Sequence, residues 1–427
     1  MRQRMLGGIT RNVVMLGVVS LLTDVSSEML TYLIPLFLAN VLAASPAVIG
    51  LIEGLAESAA SLFRLVSGWL SDRFERRHLL VGAGYASSVA GKALFLAATA
   101  WPIVLVARLG DRFGKGIRTA PRDALIADST PSEARGRAFG FHRALDTTGA
   151  VVGVAIAALV VQLLQGDVLR LGSETFRTLV LIALVPGAAA VLVIWLGVRD
   201  VPRAKAAATA PIADRDVRTP GSSGRTWRRF PAAFWLFVVA SALFTLGNSS
   251  DAFLALRSQD LGMPVRDLLL VIVGFNVANA LVATPAGALS DRVGRRGPIA
   301  VAWAIYAAAY LGFAVAGSAA PVVFLWLLYG AYYGISDAVG RALVADLAPL
   351  ELRATGYGIL SAVIGVLLLP ASLIAGMLWD AVDPSAPFWF GAACAAGATV
   401  VLVGFVRPSR GSITTTKGPA PTPGAVP

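Results

Sequence analysis

Charged residues are scarce in this sequence. Asp, Glu, Lys and Arg together make up 14 % of its 427 residues, against 56 % for hydrophobic residues. A water-soluble domain carries roughly 25 % charged residues, so this deficit excludes a surface that faces water on all sides. It indicates a chain whose outer solvent is lipid, where side chains must be apolar and the backbone must satisfy its own hydrogen bonds.

Cysteine and histidine are almost absent. The single cysteine, Cys394, excludes a disulfide within the chain, and we interpret it as a small apolar packing residue. The two histidines, His78 and His142, are too few for a typical histidine-based metal site. The sequence has no Walker loop (Gly-x-x-x-x-Gly-Lys-Ser/Thr) and no nucleophile–base constellation. We therefore expect neither an enzyme nor an ATP-driven pump, and we expect no metal and no cofactor.

What the sequence does contain is a series of continuous apolar runs. Each has about 20 residues, the length that a helix needs to cross roughly 30 Å of hydrocarbon. Barrel strands would instead alternate apolar and polar residues. We predict twelve spans at residues 12–38, 47–70, 78–99, 102–124, 137–162, 176–198, 231–256, 265–289, 297–317, 321–346, 354–379 and 385–406. The predicted fold class is therefore an all-α membrane protein.

Two stretches outside these runs are polar. Residues 199–230 are rich in Ala, Pro, Gly, Ser and Arg and predict a linker with little order, while residues 407–427 predict a disordered tail. The predicted domains are thus an N-terminal six-helix bundle over 1–198, a cytoplasmic linker at 199–230, a C-terminal six-helix bundle over 231–406 and a tail at 407–427.

The net charge of +11 invites comparison with nucleic-acid-binding proteins. The basic residues, however, concentrate in short loops at the ends of apolar runs, which is the positive-inside bias of membrane proteins. Loops that carry Arg73, Arg135, Arg295 and Arg353 share one side with both termini. We therefore expect a monomeric multi-pass protein of the cell (inner) membrane, with both termini in the cytoplasm, the lipid bilayer as its surroundings and no nucleic-acid partner.

Two segments of the chain recur at a nearly constant offset. Gly68–Arg77 returns as Gly287–Arg296, 219 residues later, and Ala124–Arg135 returns as Ala342–Arg353, 218 residues later. A constant offset across two distant motifs indicates duplication of a whole six-helix unit. Because six is even, both copies enter the membrane from the same side, which predicts parallel repeats related by an axis along the membrane normal.

With these motifs the chain resembles the major facilitator superfamily from Asn12 to Val406. The family's loop signature between its second and third helices is Gly-x-Leu-x-Asp-Arg-x-Gly-Arg-Arg; Gly287–Arg296 matches it fully, and Gly68–Arg77 differs only at Glu75. The resemblance implies a secondary transporter whose halves rock around a central cavity. It also implies loops that help to hold one access state closed, with the residues Gly68, Asp72, Arg73, Gly287, Asp291 and Arg292.

Two further segments depart from family patterns. Residues 112–118 are similar to the fourth-helix motif Arg-x-x-Gln-Gly-x-Gly, but Lys115 replaces the glutamine and Arg118 replaces the last glycine. The fifth span has Gly149 and Gly153 but lacks the Gly-Pro pair that family antiporters often carry. The missing proline weakens a direct assignment of this chain to the drug–proton antiporters.

Charged side chains inside the predicted spans are the main functional signal. Each costs a few kcal/mol in hydrocarbon, so such residues usually pair and face a wet cavity. We predict proton-coupling roles for Asp24, Glu28, Glu57 and Asp111. We predict that the charge partners or substrate-binding residues are Lys92, Arg108, Arg112, Lys115, Asp251, Tyr310, Trp326 and Tyr332.

The second half has lost most of these charges. Tyr310 and Trp326 occupy the positions equivalent to Lys92 and Arg108. We therefore expect ion coupling in the first half and aromatic or apolar walls in the second. A carboxylate in a dry cavity binds a proton more readily, and a neighbouring Arg opposes this. A change in their distance between access states would take up or release a proton.

Several alternatives stay open at this point. Asp24 and Glu28 could form a static bridge to the fourth span, and the Tyr and Trp side chains of the second half could be packing residues. The leading functional hypothesis is proton-coupled export (antiport) of a small organic solute. The first alternative is proton-linked uptake of an organic anion, which the basic fourth span favours. The second is a non-transporting membrane sensor, which the linker disfavours because it is too short for an ordered domain.

Overall fold

The computed structural model describes residues 4–5, 9–73, 77–131, 134–200, 229–349 and 352–406; residues 4, 5, 69, 72, 73, 338 and 354 are described by their backbone alone. A two-residue antiparallel pair, β1 (Arg4–Met5) and β2 (Ile9–Thr10), precedes the helices. Most of the predicted linker and the whole predicted tail lie outside the described residues, so the predicted domain boundaries stay predictions.

Fourteen α-helices follow within the described ranges. The first half contains α1 (Arg11–Thr31), α2 (Leu33–Asn40), α3 (Pro46–Arg73), α4 (Arg77–Leu94), α5 (Trp101–Asp128), α6 (Arg135–Leu164) and α7 (Ser173–Gly197). The second half contains α8 (Ala232–Gly247), α9 (Ala252–Asp260), α10 (Val265–Val293), α11 (Arg296–Val315), α12 (Val322–Leu347), α13 (Arg353–Ala381) and α14 (Ala386–Phe405). A 3₁₀ turn, Phe95–Ala97, extends α4.

These helices form twelve membrane spans, which confirms the predicted fold class. Helices α1 and α2 together make one span, Arg11–Asn40, and α8 and α9 together make another, Ala232–Asp260. Eleven spans among the described residues are long and apolar enough to cross a membrane. The twelfth is α5, whose 28 residues carry the stripe of charges predicted for the fourth span.

The loop motif has a visible structural basis at one position. Helix α10 ends at Val293, and the next residue, Gly294, takes φ +84°. A side chain disfavours this left-handed conformation, so glycine is the residue that ends a helix this way most easily. The chain then turns at once into α11. The counterpart of Gly294 in the first half, Glu75, lies outside the described residues.

The two halves contact each other mainly on one side of the molecule. We call the side that holds Arg11 and Phe405 the terminal side, and the other the opposite side. Helix α3 packs against α13, and α6 against α10. On the opposite side the Ala47 backbone N–H donates to Asp380 Oδ2 at 2.9 Å, and the Val265 N–H donates to the Val168 carbonyl at 3.2 Å. The halves are therefore joined at the opposite side.

Contact on the terminal side is looser. Arg143 Nη2 on α6 lies 3.1 Å from Asp337 Oδ2 on α12, yet these side chains stay 62 % and 45 % exposed. Two facing helices whose ion pair is this exposed are separated by solvent rather than packed. The space between the halves therefore opens toward the terminal side.

Candidate functional site

Helix α5 provides the charged wall of the central space. Its charges recur every three or four residues, which places them on one face of a helix. Arg108, Asp111 and Arg112 are buried, whereas Val106 and Phe113 on the other face are 58 % and 37 % exposed. The charged face is therefore turned into the bundle and the apolar face toward lipid.

Two ion pairs connect α5 to α3. Arg108 Nη2 donates to Glu53 Oε2 at 2.7 Å, and one turn further along Arg112 Nη2 lies 3.1 Å from Glu57 Oε1. The Glu53 side chain is 3 % exposed and that of Glu57 is 36 % exposed. The first pair is thus sealed inside the bundle, and the second borders the central space.

A third pair connects α5 to α4. Lys92 Nζ lies 3.9 Å from Asp111 Oδ1 and donates to Ser26 Oγ at 3.0 Å and to Ser27 Oγ at 2.8 Å. Ser88 Oγ also donates to Asp111 Oδ1. Lys92 therefore joins α1, α4 and α5, and Asp111 interacts with Lys92 and Ser88 through Oδ1.

The predicted acidic pair on α1 meets a different helix from the one that the sequence suggested. Asp24 lies within hydrogen-bonding reach of Asp146 on α6, and Ser20 Oγ donates to Asp146 Oδ1 at 2.7 Å. Gly149 allows this approach, because a Cβ there would lie only 3.1 Å from the Asp24 Cβ. Neither Asp24 nor Glu28 forms a salt bridge to α5 in the described residues, so the alternative of a static bridge to the fourth span is not observed.

The Asp24–Asp146 contact has a chemical consequence. An ionised carboxylate only accepts hydrogen bonds, so a hydrogen bond between two carboxyl groups requires a proton on one of them. Two carboxyl groups placed this way can share one proton and release it when they separate. Two charged neighbours of Asp24 are Glu28, one turn along α1, and Lys115 on α5. Neither Glu28 nor Lys115 forms an ion pair among the described residues.

The second half contributes a carboxylate surrounded by aromatic rings. Asp251 lies where α8 and α9 are interrupted, and the Tyr329 hydroxyl donates to its Oδ1 at 2.6 Å. Phe275 stacks on Tyr329 with ring centroids 5.7 Å apart, and the Tyr333 ring lies 5.5 Å from that of Tyr329. Asp251 is the predicted residue that the structure places against the aromatic wall.

Three predicted aromatic residues pack within that wall. Tyr310 stacks on Tyr306 at 4.1 Å, and Trp326 donates through Nε1 to Ser258 Oγ at 3.0 Å. Tyr310, Trp326 and Tyr332 are all buried. In this state they form the wall behind Asp251, which matches the alternative interpretation of these rings as packing residues.

The predicted gating residues lie at the terminal side. In the second half Arg295 Nη2 donates to Asp291 Oδ1 at 3.0 Å, and Arg295 Nε lies 2.8 Å from Asp346 Oδ2. In the first half Arg77 pairs with Asp128. Each of these described contacts stays within one half, as expected where the terminal side is open.

The other gating residues are less engaged in the structure. Arg292 is exposed, and Gly287 accepts a hydrogen bond from Ser290 Oγ through its carbonyl. A Cβ at Gly68 would meet only the Ala120 Cβ, at 3.8 Å, so close packing does not require glycine there. The side chains of Asp72 and Arg73 lie outside the described residues.

Sequence reasoning missed Asp146 and the serines of this site. Asp146 is visible in the sequence near one end of the fifth span, but its partner depends on how α6 is rotated against α1. Ser20, Ser26, Ser27 and Ser88 carry no signal of their own, because serine is common at helix contacts in membranes. Three-dimensional packing was needed to identify them.

Comparisons with known proteins agree on the family. The sequence profile of the Major Facilitator Superfamily matches residues 16–268 and 249–426. An uncharacterized MFS-type transporter of Methanocaldococcus jannaschii is 33 % identical over 397 residues, which cover 91 % of this chain and 93 % of that protein.

Two further likenesses are more distant. The quinolone resistance protein NorA of Staphylococcus aureus is 25 % identical over 158 residues, 36 % of this chain and 40 % of that protein. The crystal structure of a D-xylose–proton symporter superposes with a TM-score of 0.72 at 16 % identity, covering 94 % of this chain and 98 % of that one. The family match, the near full-length relative and the twelve-span fold together show that this chain is a multi-pass membrane transporter, and not an enzyme, and that it belongs to the Major Facilitator Superfamily.

Proposed function

We propose that this transporter exports a small organic solute in exchange for protons. The observation that carries the proposal is the close approach of the Asp24 and Asp146 carboxyl groups between α1 and α6, where the pair could share a proton. Ser20 supports the pair from α1, and Arg143 Nη1 lies 3.5 Å from Asp146 Oδ2. A shift of α6 against α1 would separate the two carboxyl groups, and the proton would then be released.

The proposed orientation is compatible with export. The arginine-rich loops place the terminal side in the cytoplasm of the cell, by the positive-inside bias. The central space is then open to the cytoplasm, where an exported solute is collected. The likeness to a quinolone resistance protein favours export as well, since a cell can resist a toxic compound by expelling it.

The structure favours export over uptake of an organic anion. Arg108, Arg112 and Lys92 would be the groups that attract an anion, but each is matched by a carboxylate, at 2.7, 3.1 and 3.9 Å. Lys115 is the remaining base of this set, and it lies among Glu57, Glu28 and Asp24. The described site therefore offers no surplus of positive charge.

The test is an Asp24→Asn variant in everted membrane vesicles with an acidic lumen. In the wild type, solutes from a panel of cationic, neutral and anionic dyes should exchange for luminal protons, and a pH-sensitive dye reports the alkalinisation. We expect Asp24→Asn to lose this proton release, because the amide can donate a hydrogen bond to Asp146 but does not ionise.

Glu174→Gln is the matched control. Its carboxylate is 87 % exposed on the opposite side, and the substitution should leave proton release unchanged. Normal proton release in Asp24→Asn would remove Asp24 from the coupling. Exit of solute from the lumen together with protons in the wild type would indicate uptake and would overturn export.

A further inference from the structure

Two spans are interrupted, and the helices that follow the two breaks, α2 and α9, contact each other across the halves. The first span breaks at Tyr32, between α1 and α2, and the seventh breaks between Gly247 and Ala252. The Tyr32 ring lies 6.1 Å from the ring of Trp326 in the other half. Interrupted helices in corresponding positions of two repeats mark the substrate site of transporters, because the backbone is irregular only where it borders a cavity.

Asp251 lies inside the second interruption and is not needed to build it. It precedes α9 but makes no capping hydrogen bond to that helix, so a structural role as a helix cap is excluded. Its Oδ1 accepts a hydrogen bond from Tyr329. Its Oδ2 has no partner among the described residues, and the side chain is half-buried. One carboxylate oxygen therefore remains available to a ligand.

The surroundings of Asp251 are negative. No salt bridge to a Lys, Arg or His is formed by Asp251 within the described ranges, and the charges that act on it most strongly there are those of Glu57, Glu28 and Glu53. Glu53 and Glu57 are already balanced by Arg108 and Arg112. Asp251 and, in the first half, Asp24 and Glu28 have no salt bridge among the described residues, and neither do the bases Lys115 and Arg64. Asp251 is thus a carboxylate of the second half that no base neutralises in the described structure.

The walls beside Asp251 are aromatic. Tyr333 is half-buried, with its ring 5.6 Å from that of Phe275 and 5.5 Å from that of Tyr329. Tyr32 closes the same region from the first half. Aromatic faces attract cations through the ring quadrupole, most strongly where water is excluded. A carboxylate in such a wall suits a positively charged ligand with apolar bulk.

We infer that the transported solute is an organic cation, with its charge against Asp251 and its apolar bulk against Tyr333 and Tyr32. This inference rests on the proposed transport function, because it names the class of solute that is transported. Its test is a binding measurement and does not depend on proton coupling. It makes Asp251 and Tyr329 specificity-determining residues, since Tyr329 fixes the orientation of the carboxylate.

Equilibrium binding to the purified full chain tests the inference. The probes are radiolabelled tetraphenylphosphonium and tetraphenylborate, which have the same shape and opposite charge. We expect the wild type to bind the cation at least about tenfold more tightly than the anion. Asp251→Asn should lower the affinity for the cation about tenfold or more, whereas Asp251→Glu should retain most of it and Glu174→Gln all of it.

The outcomes separate the two proposals. Equal binding of both probes by the wild type, or unchanged cation binding by Asp251→Asn, would overturn the inference. The thermal unfolding midpoint of each variant shows whether it is folded, and the comparison of probes on the wild type needs no variant at all. Cation binding without proton release in vesicles would overturn the proposed exchange of solute for protons and leave the organic-cation inference standing. Proton release in exchange for neutral or anionic dyes, without binding of the cationic probe, would overturn the inference of an organic cation and leave the proposed export standing.

Discussion

Arg108 and Glu53 bury opposite charges at a depth where neither would be stable alone. Their side chains are each 3 % exposed, so removing one partner leaves the other charge without compensation. Breaking such a pair costs about 3–5 kcal/mol, whereas replacing both members by apolar residues is often neutral. The pair thus ties α3 to α5, and its stability depends on both members being present.

We therefore expect Arg108→Leu to reduce the free energy of unfolding by about 3–5 kcal/mol and the double variant with Glu53→Leu to recover most of that loss. Thermal unfolding in detergent measures both. Arg112→Leu should cost less, because its partner Glu57 is 36 % exposed and water can replace the lost cation. A double variant as unstable as Arg108→Leu would show that the pair does more than balance charge.

The sequence predicted which charged residues share a helix face better than it predicted which residues pair with each other. The stripe on the fourth span predicted that Arg108, Asp111 and Arg112 face one way, since a helix fixes that geometry. The partner of Asp24 was not predictable, because it depends on the rotation of α6 and on the missing side chain at Gly149. A single sequence contains no information about such rotations.

At the scale of elements, α3 begins under a cap that belongs to the other half. The Ala47 N–H lies in the first turn of α3 and donates to Asp380 Oδ2 on α13 at 2.9 Å. Free N–H groups at a helix start favour a carboxylate. Opening of the opposite side must break this contact, so Asp380 stabilises the state in which that side is closed.

Asp380→Ala should therefore shift the population toward the state that is open on the opposite side. Loss of a cap typically costs about 1 kcal/mol, which corresponds to a several-fold change in the ratio of states. The measurement is maleimide labelling of a cysteine introduced at Ser372, which is buried between α13 and the first half, in a chain whose Cys394 is replaced by Ser. Unchanged labelling rates would show that the cap does not contribute to closure.

The elements also show where a hydropathy pattern stops being informative. The predicted seventh span, 231–256, runs through the interruption between α8 and α9, because Asn248 to Asp251 are too few to lower the average of an apolar run. The polar sequence Asn-Ser-Ser-Asp at these positions was the available signal. The continuous spans were predicted well, since a long apolar run has one stable solution in lipid.

The whole molecule has two halves with different chemistry on one shared plan. The repeat offset predicted the parallel arrangement, and the family match and twelve spans confirm that fold. The side on which the halves meet was not predictable, because the same contacts of α3 with α13 can form or open without any change in sequence.

Orientation can be tested on the intact cell. With Cys394 replaced by Ser, a membrane-impermeant maleimide should label Arg170→Cys, at the opposite side, and should not label Gly136→Cys, at the terminal side. Both positions are exposed and lie in described segments. Labelling of Gly136→Cys in intact cells would place the terminal side outside and would overturn the proposed orientation.

The charges of α5 also determine how the chain can be made. A segment with this many ionised groups enters a bilayer poorly by itself, since each costs about 2.5–3.5 kcal/mol at the centre of a lone helix. Its partners Glu53 and Lys92 are supplied by α3 and α4, which leave the ribosome earlier. Biogenesis of the first half is therefore expected to depend on the second and third spans being at hand for the fourth, whereas the counterpart α12 carries fewer charges, Asp337, Arg341 and Asp346, and is apolar enough by length and composition to cross a membrane.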